Sequence, residues 1–190
     1  MEQYIRKAFA AILEKIKSGD IREKTVKCWV MAAQEGGWKP GDLENIPFTL
    51  LTETKGIDLI EHTVAVTLGA AGLAKAITET YDIMPFEINW DFIYAGGLLH
   101  DVGKLLEIEL VDGKYRKGHK GRCARHPISG AILADRVGLP IEIVNIIGCH
   151  AKEGEGRPQR VETVLIHQAD FATFNPMVMM AKGLLIEEGE

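Results

Sequence analysis

Cysteine is scarce in this 190-residue chain. Cys28, Cys123 and Cys149 are odd in number and form no C-x-x-C pair, which excludes a disulfide framework and a zinc ribbon. An excess of basic charge is also missing. Lys and Arg number 22 against 27 Asp and Glu, a net charge of −5, which argues against a general nucleic-acid binder while leaving room for a local basic patch. No apolar run approaches the roughly 18 residues that read as a membrane span. The opening Met1-Glu2-Gln3-Tyr4-Ile5-Arg6-Lys7 carries no apolar core of a secretion signal. No membrane partner is expected, and a reducing cytoplasm is the expected location. What remains, 46% hydrophobic and 26% charged residues, is the composition of an ordinary globule long enough to bury a core.

Apolar periodicity lays out a series of helices. Ile5, Phe9, Ile12, Leu13 and Ile16 form one stripe ending at Ser18-Gly19. Asp20 followed by Glu23 reads as a capping box for a second helix with Ile21, Val26, Trp29, Val30 and Ala33 inward, stopped by Gly36-Gly37. Trp38 to Pro47 reads as a loop. A third helix is expected from Ile57 toward Thr78, its core face Ile57, Ile60, Val64, Leu68 and Ala71, with His62 beside that stripe. Leu106, Ile108 and Leu110 alternate with Glu107 and Glu109 ahead of Asp112-Gly113, a hairpin signal. His126-Pro127 opens a helix with Ile128, Ala131, Ile132 and Val137 inward, and a short one through Ile143, Val144, Ile146 and Ile147 delivers His150. Glu153 to Pro158 reads as a flexible polar loop. The last helix carries Val161, Val164, Leu165, Ala169 and Ala172, and Asn175-Pro176 is expected to end it.

These elements frame one stretch, Ala95-Gly96-Gly97-Leu98-Leu99-His100-Asp101-Val102-Gly103-Lys104. Asn89 or Asp91 is placed to cap its helix, and Gly103 to end it with a positive φ. Neighbouring residues on a helix point about 100° apart, so His100 and Asp101 converge on one point only if something lies between them. A metal ion is the natural candidate, since imidazole nitrogen and carboxylate oxygen are both ordinary ligands of divalent transition metals.

Together, the order His62 … His100-Asp101 … His126 … His150 … Asp170 resembles the HD-domain phosphohydrolase superfamily. Gly97 to Lys104 is similar to its HD-x-G-K signature, and Ile166-His167-Gln168-Ala169-Asp170 to its closing Asp segment. The resemblance covers about residues 51–175. It implies an all-α helical bundle with a small β-hairpin, residues 48–190 forming the HD domain. It does not explain residues 1–47, whose helices read on their own pattern as an N-terminal extension that packs on the domain or carries a homodimer. Within that family pattern His62, His100, Asp101 and Asp170 match the ligands of a first metal. His126 and His150 match those of a second in two-metal members, with Asp101 bridging, or line the substrate in one-metal members. Asp58 is either a charge at its helix N-terminus or a further carboxylate of the cyclic-dinucleotide branch. His167 is either a donor to a ligand or a partly buried polar residue.

The implied activity is metal-dependent hydrolysis of a phosphomonoester or phosphodiester, nucleotide-like, by a metal-activated hydroxide. One or two ions of Mn, Fe, Co, Ni or Zn are expected, Mg and Ca being disfavoured by the imidazoles. Asp101 and Lys104 are the expected catalytic residues, Lys104 on a phosphate oxygen. From Lys114 to Arg125 six Lys or Arg occur, and no acid from Gly113 to Ala134, so Lys120, Arg122 and Arg125 are expected to join Lys104 in binding substrate. Three alternatives stand beside this one. A 3′-end exonuclease is disfavoured by the lack of a strand-rich single-strand holder. A cyclic-dinucleotide phosphodiesterase is disfavoured by Arg157 and Ala151, which replace that branch's Tyr and second His. A non-catalytic signalling scaffold would lack the ligands that this chain keeps.

Overall fold

The apolar stripe of the first forty residues turns inward onto the chain's own central helix. In the computed structural model, which describes residues 1–186, α1 (Glu2–Ala8) and α2 (Ala10–Leu13) precede the long α3 (Gly19–Gly36). The single helix expected through Ile16 is broken at Phe9 (φ −109°, ψ 12°), where the buried ring lies 5.1 Å from the Trp29 ring. Trp29 in turn donates its indole N–H to Leu98 O at 2.8 Å, tying α3 to the helix that precedes the His-Asp pair. Ile5, Phe9, Ile12, Leu13 and Ile16 are all buried in one core with Leu98, Leu99 and Leu105. The homodimer expected through these helices is therefore unsupported, because their apolar stripe is covered within the chain.

Capping chemistry explains where the helices start. Ser18, not Asp20, caps α3, its hydroxyl accepting from Ile21 N. The expected Asp20–Glu23 box does not form because those carboxylates pair with Lys24 and Arg6. Gly37 at φ +78° ends the helix as its position requires, and the following loop holds a 3₁₀ turn, Pro40–Asn45. Asp58 and Glu61 make a reciprocal capping box for α4 (Leu59–Thr80). Asn89 caps α5 (Trp90–Leu99), leaving Asp91 to accept from Lys17 N and Ser18 N. After α6 (Lys104–Glu107), β1 (Ile108–Val111) and β2 (Lys114–Lys117) pair antiparallel through Asp112-Gly113, both at positive φ. Next come α7 (His119–Cys123), α8 (His126–Arg136), α9 (Ile141–Cys149) and α10 (Val161–Ala181). Helix α10 continues through Pro176 instead of ending there; Pro removes one N–H donor and crowds the carbonyl one turn back, which favours a kink without compelling a stop.

Two cores flank α5. One joins it to α1–α3, α8 and α9, the other to α4 and α10. Several helices face inward with a different side from the one their apolar residues suggest. On α4 the buried positions are Leu59, His62, Thr63, Val66, Thr67, Ala70, Ala71 and Ala74, while Leu68 is half exposed. On α8 they include His126, Ser129 and Gly130, with Ile128 and Ile132 outside. On α10 Glu162 and Thr163 are buried, whereas Val164 and Ala172 are exposed. The buried sides are those of small or polar residues, since close approach of backbones and convergence of the His and Asp side chains both demand them. A Cβ on Gly97 would lie 2.8 Å from Thr67 Oγ1, and one on Gly69 already touches Ala169 at 3.4 Å.

Candidate metal centre

The turn after α5 carries the site. His100 keeps helical angles (φ −51°, ψ −40°), and the chain passes through Asp101-Val102-Gly103 directly into α6. Gly103 does not take positive φ but sits at −64°. It is Gly for space: a Cβ there would meet His126 O at 2.1 Å and Gly130 N at 2.7 Å. That contact lets α8 press against the turn and bring His126 to Asp101. Gly121 does the same for α7, where a Cβ would meet Glu107 O at 2.6 Å.

The six metal-ligand candidates come together in two groups, His62 with His100 and Asp170, and His126 with His150 around Asp101. Asp101 lies between them and is almost completely buried. Its Oδ2 is 3.3 Å from both His62 Nε2 and His100 Nε2. Its Oδ1 is 3.2 Å from His126 Nε2 and 3.7 Å from His150 Nε2. Asp170 Oδ1 is 3.2 Å from His62 Nε2. One carboxylate oxygen therefore addresses each group.

The other ring nitrogens fix the tautomers. His100 Nδ1 and His150 Nδ1 lie 2.6 and 2.8 Å from the Gly97 and Ile147 carbonyls, which can only accept. His126 Nδ1 donates to the Glu107 carboxylate at 3.0 Å. Thr173 spends its hydroxyl hydrogen on Asp170 O, so it receives His62 Nδ1–H at 3.4 Å. With every Nδ1 protonated, each neutral ring turns a bare Nε2 lone pair toward carboxylate oxygens. His62 Nε2, His100 Nε2, His150 Nε2 and Asp101 Oδ1 are buried without any hydrogen-bond partner. A divalent cation placed between them would satisfy lone pairs that otherwise face lone pairs in a buried site. Imidazole and carboxylate donors with no thiolate suit a divalent transition metal.

Electrostatics follow the same division. Burial opposes the charge on Asp101, but Lys104, His100 and His126 outweigh it and hold the carboxyl well below its usual range. Burial likewise opposes ionisation of Asp170 and Glu107, yet His62 beside the first and His126 with Lys117 beside the second bring each to about 2. Burial lowers His126 to about 4 despite Asp101 and Glu107. His62 goes the other way, because Asp101 and Asp170 overcome its burial.

Beside these candidate ligands opens a cleft of about 380 Å³. Lys104 lines it, with Nζ 2.5 Å from Asp101 Oδ2 and also donating to Phe48 O. Arg125 reaches it, bonded to Glu153 at 2.7 Å. Lys120 and Arg122 do not. They are exposed on α7, which Gly121 turns against Glu107, and the cleft is lined instead by Lys117 and Lys152. Asp58 is spent as the α4 cap. His167 donates from Nδ1 to His150 O at 2.6 Å, and Gln159 pins the loop after His150 through Cys149 O and Gly154 O. The sequence reading missed Glu107, taken as an outward strand residue, and Phe48. The short spacing from Lys104 to Glu107, one helical turn, was the available signal for the first. For the second there was none.

Comparison with known proteins gives this geometry a context. The HD domain model matches residues 59–171. The chain is 34% identical over 116 residues to a dihydroneopterin 2′,3′-cyclic phosphate phosphodiesterase of Methanocaldococcus jannaschii, covering 60% of this chain and 45% of that protein. It is 32% identical over 155 residues to a ribonuclease Y of Thermotoga petrophila, covering 78% of this chain and 25% of that protein. A ribonuclease Y of Thermosipho melanesiensis is 28% identical over 135 residues, 71% of this chain and 22% of that one. The chain thus spans less than half the length of these relatives. No solved structure matches it.

Proposed function

The chain belongs to the HD domain family, and on that premise we propose that it is a metal-dependent phosphohydrolase that cleaves a small phosphodiester. The observation that carries the reading is the set of buried, partnerless Nε2 atoms converging on both oxygens of Asp101. In this reading His62, His100, Asp170 and Asp101 Oδ2 hold one ion of Mn, Fe, Co, Ni or Zn. His126, His150 and Asp101 Oδ1 hold a second. Such ions supply hydroxide near neutral pH and positive charge for a phosphate.

The protein's own groups do the rest. The carbonyls of Gly97 and Ile147, with Glu107 and Thr173, keep the four imidazoles in the metal-binding tautomer. Lys104 has three donors, of which Asp101 and Phe48 O use two; the third remains for a phosphate oxygen in the cleft. Arg125 and Lys117 enter the cleft already paired with Glu153 and Glu107, so the positive potential there is local. That pairing, with a net charge of −5, favours a small substrate over the RNA suggested by the ribonuclease Y relatives. A diester is favoured by the phosphodiesterase relative. The cysteines are free thiols, in keeping with the reducing cytoplasm proposed for the protein. No helix among the described residues is long and apolar enough to cross a membrane. Residues 1–47 act in this reading as a structural extension that shares a core with the HD domain.

The test is metal analysis of the purified chain beside hydrolysis of bis(p-nitrophenyl) phosphate and p-nitrophenyl phosphate with Mn²⁺. About two ions per chain and faster turnover of the diester are expected. A chain that takes up no transition metal would overturn the proposal.

A further inference from the structure

A helix that ends leaves its last carbonyls without partners inside the helix, and the turn that carries His100 and Asp101 must satisfy them while it bends. Its backbone bonds tighten to a span of three residues. Val102 N donates to Leu99 O at 3.1 Å, Lys104 N to Asp101 O at 2.9 Å, Leu105 N to Val102 O at 3.2 Å and Leu106 N to Gly103 O at 2.9 Å. Gly97 O is taken by His100 Nδ1. This pattern passes over two carbonyls, one at each end of the turn. Val102 N, four residues on from Leu98, has gone to Leu99 O, and Glu109, four residues on from Leu105, already belongs to β1.

Both carbonyls are met by tryptophans of the N-terminal segment. Trp29 Nε1 donates to Leu98 O at 2.8 Å, and Trp38 Nε1 to Leu105 O at 2.7 Å. Trp29 is fully buried and braced by Phe9, while the half-buried Trp38 lies 6.4 Å from the Tyr115 ring. The seat of the second bond is cut by Gly36, where a Cβ would lie 2.1 Å from Leu105 O and 2.6 Å from Trp38 Nε1. Gly36 does not take positive φ, so space for this bond is what excludes a side chain there. Both tryptophans lie outside the residues that match the family model, 59–171. His100 comes two residues after Leu98 and Lys104 one residue before Leu105, so the two indoles bracket the turn.

We infer that Trp29 and Trp38 are positioning residues of the metal centre, two indole donors that clamp the ends of the turn and so fix where His100, Asp101 and Lys104 point. The inference rests on the metal-dependent reading for what the turn presents, while the clamp on the backbone stands on its own geometry. It gives residues 1–47 a part in the site, although the candidate ligands all lie beyond them. A buried carbonyl is costly to leave unmet. Without the Trp29 N–H, Val102 N is drawn back to Leu98 O, its ordinary helical partner, which winds His100 and Asp101 onto a further helical turn. Groups behind metal ligands change affinity by about 10- to 100-fold, and donors acting through the backbone belong at the lower end of that range.

The experiment titrates the full chain, freed of metal by chelator, with Co²⁺ and follows its visible absorption. Hydrogen exchange across residues 98–106 is measured beside it on the metal-free chain. Trp29→Phe and Trp38→Phe, which keep an aromatic ring and lose the N–H, should each weaken Co²⁺ binding about 10-fold, shift its absorption bands and speed exchange across the turn. Phe9→Leu loosens the same core but keeps both donors; it should lower Tm and leave the Co²⁺ affinity and bands of the wild type. Unchanged exchange in both tryptophan variants, or a Phe9→Leu chain that weakens Co²⁺ as much as they do, would overturn the clamp. Should Trp29→Phe not fold, the half-buried Trp38 decides alone. Failure of the metal reading looks different: the wild type takes up no Co²⁺, yet exchange across the turn still rises in the tryptophan variants above that of Phe9→Leu.

Discussion

On the Oδ2 side of Asp101 two imidazoles are joined by a second carboxylate, Asp170; on the Oδ1 side two imidazoles, His126 and His150, have only Asp101 itself. The first group hangs from α4, α5 and α10, the second from α8 and α9. Formal charge around the first is one unit more negative. The second is compensated at one remove, where buried Glu107 receives both the backbone N–H and Nδ1–H of His126. A carboxylate behind an imidazole makes the facing nitrogen more basic. The comparison teaches that two similar candidate ligand sets can differ in where their negative charge sits, within the set itself or behind a histidine.

The change that erases the distinction has the largest effect. Asp101→Ala removes an oxygen from each half, and we expect it to abolish binding of both ions and lower kcat by about 10³-fold or more. Metal analysis by mass spectrometry beside turnover checks this, and stoichiometric metal in the variant would break the shared-ligand reading. Glu107→Gln sharpens the comparison instead. Loss of the charge behind His126 should weaken the Oδ1-side ion about 10- to 100-fold and leave the Oδ2-side ion in place. Competitive titration with a fluorescent chelator would resolve the two affinities, and equal weakening of both would show that Glu107 serves the whole fold.

Packing offers a third contrast. Gly103→Ala forces a Cβ to 2.1 Å from His126 O, a backbone atom that cannot yield cheaply, so about 1–3 kcal/mol of stability should be lost, with the Oδ1-side ion weakened alongside. Gly69→Ala places its Cβ 3.4 Å from Ala169 on the other side of the molecule, an ordinary contact, and should be neutral or stabilising by about 0.5–1 kcal/mol. Chemical denaturation of both variants measures the pair.

These contrasts also show what the sequence could reveal. The convergence of six His and Asp side chains was legible because chemistry-bearing residues are sparse and their order is distinctive; the hairpin was legible because Asp112-Gly113 supplies two positive φ angles. The faces of α4 and α8 were not, because counting apolar residues assigns Leu68 and Ile132 to the core, whereas His62, Thr67, His126 and Gly130 occupy it. Gly103 was assigned a role in conformation when its actual constraint is the carbonyl oxygen of His126, 23 residues away in the chain, and the start of α8 around it. Lys120 and Arg122 were placed in the cleft by charge alone, which does not say which way a short helix will turn. Long-range contacts of this kind have no local signature.

The smallest expected effect is on pH dependence of the metal-free protein, where the two halves have opposite signs. Burial holds His126 at about 4, below the ordinary 6.5, so the unfolded chain takes its proton first. The stability it contributes is complete above pH 6.5 and is lost as pH falls through about 4. His62 is raised by Asp101 and Asp170 against its burial. Its contribution is complete below pH 6.5 and is lost as pH rises through the raised value. Glu107 and Asp170, both near 2 against 4.5 and 3.8, add losses only on further acidification from those ordinary values toward 2. In chelator, Tm should therefore fall by a few degrees between pH 6.5 and 4 through the His126 half, and decline on the alkaline side of 6.5 through the His62 half. His126→Gln should flatten the acid limb alone, and His62→Gln the alkaline limb alone. Scanning calorimetry across pH 4 to 9 reads both, and a variant that flattens the opposite limb would reverse the electrostatic assignment of the two halves.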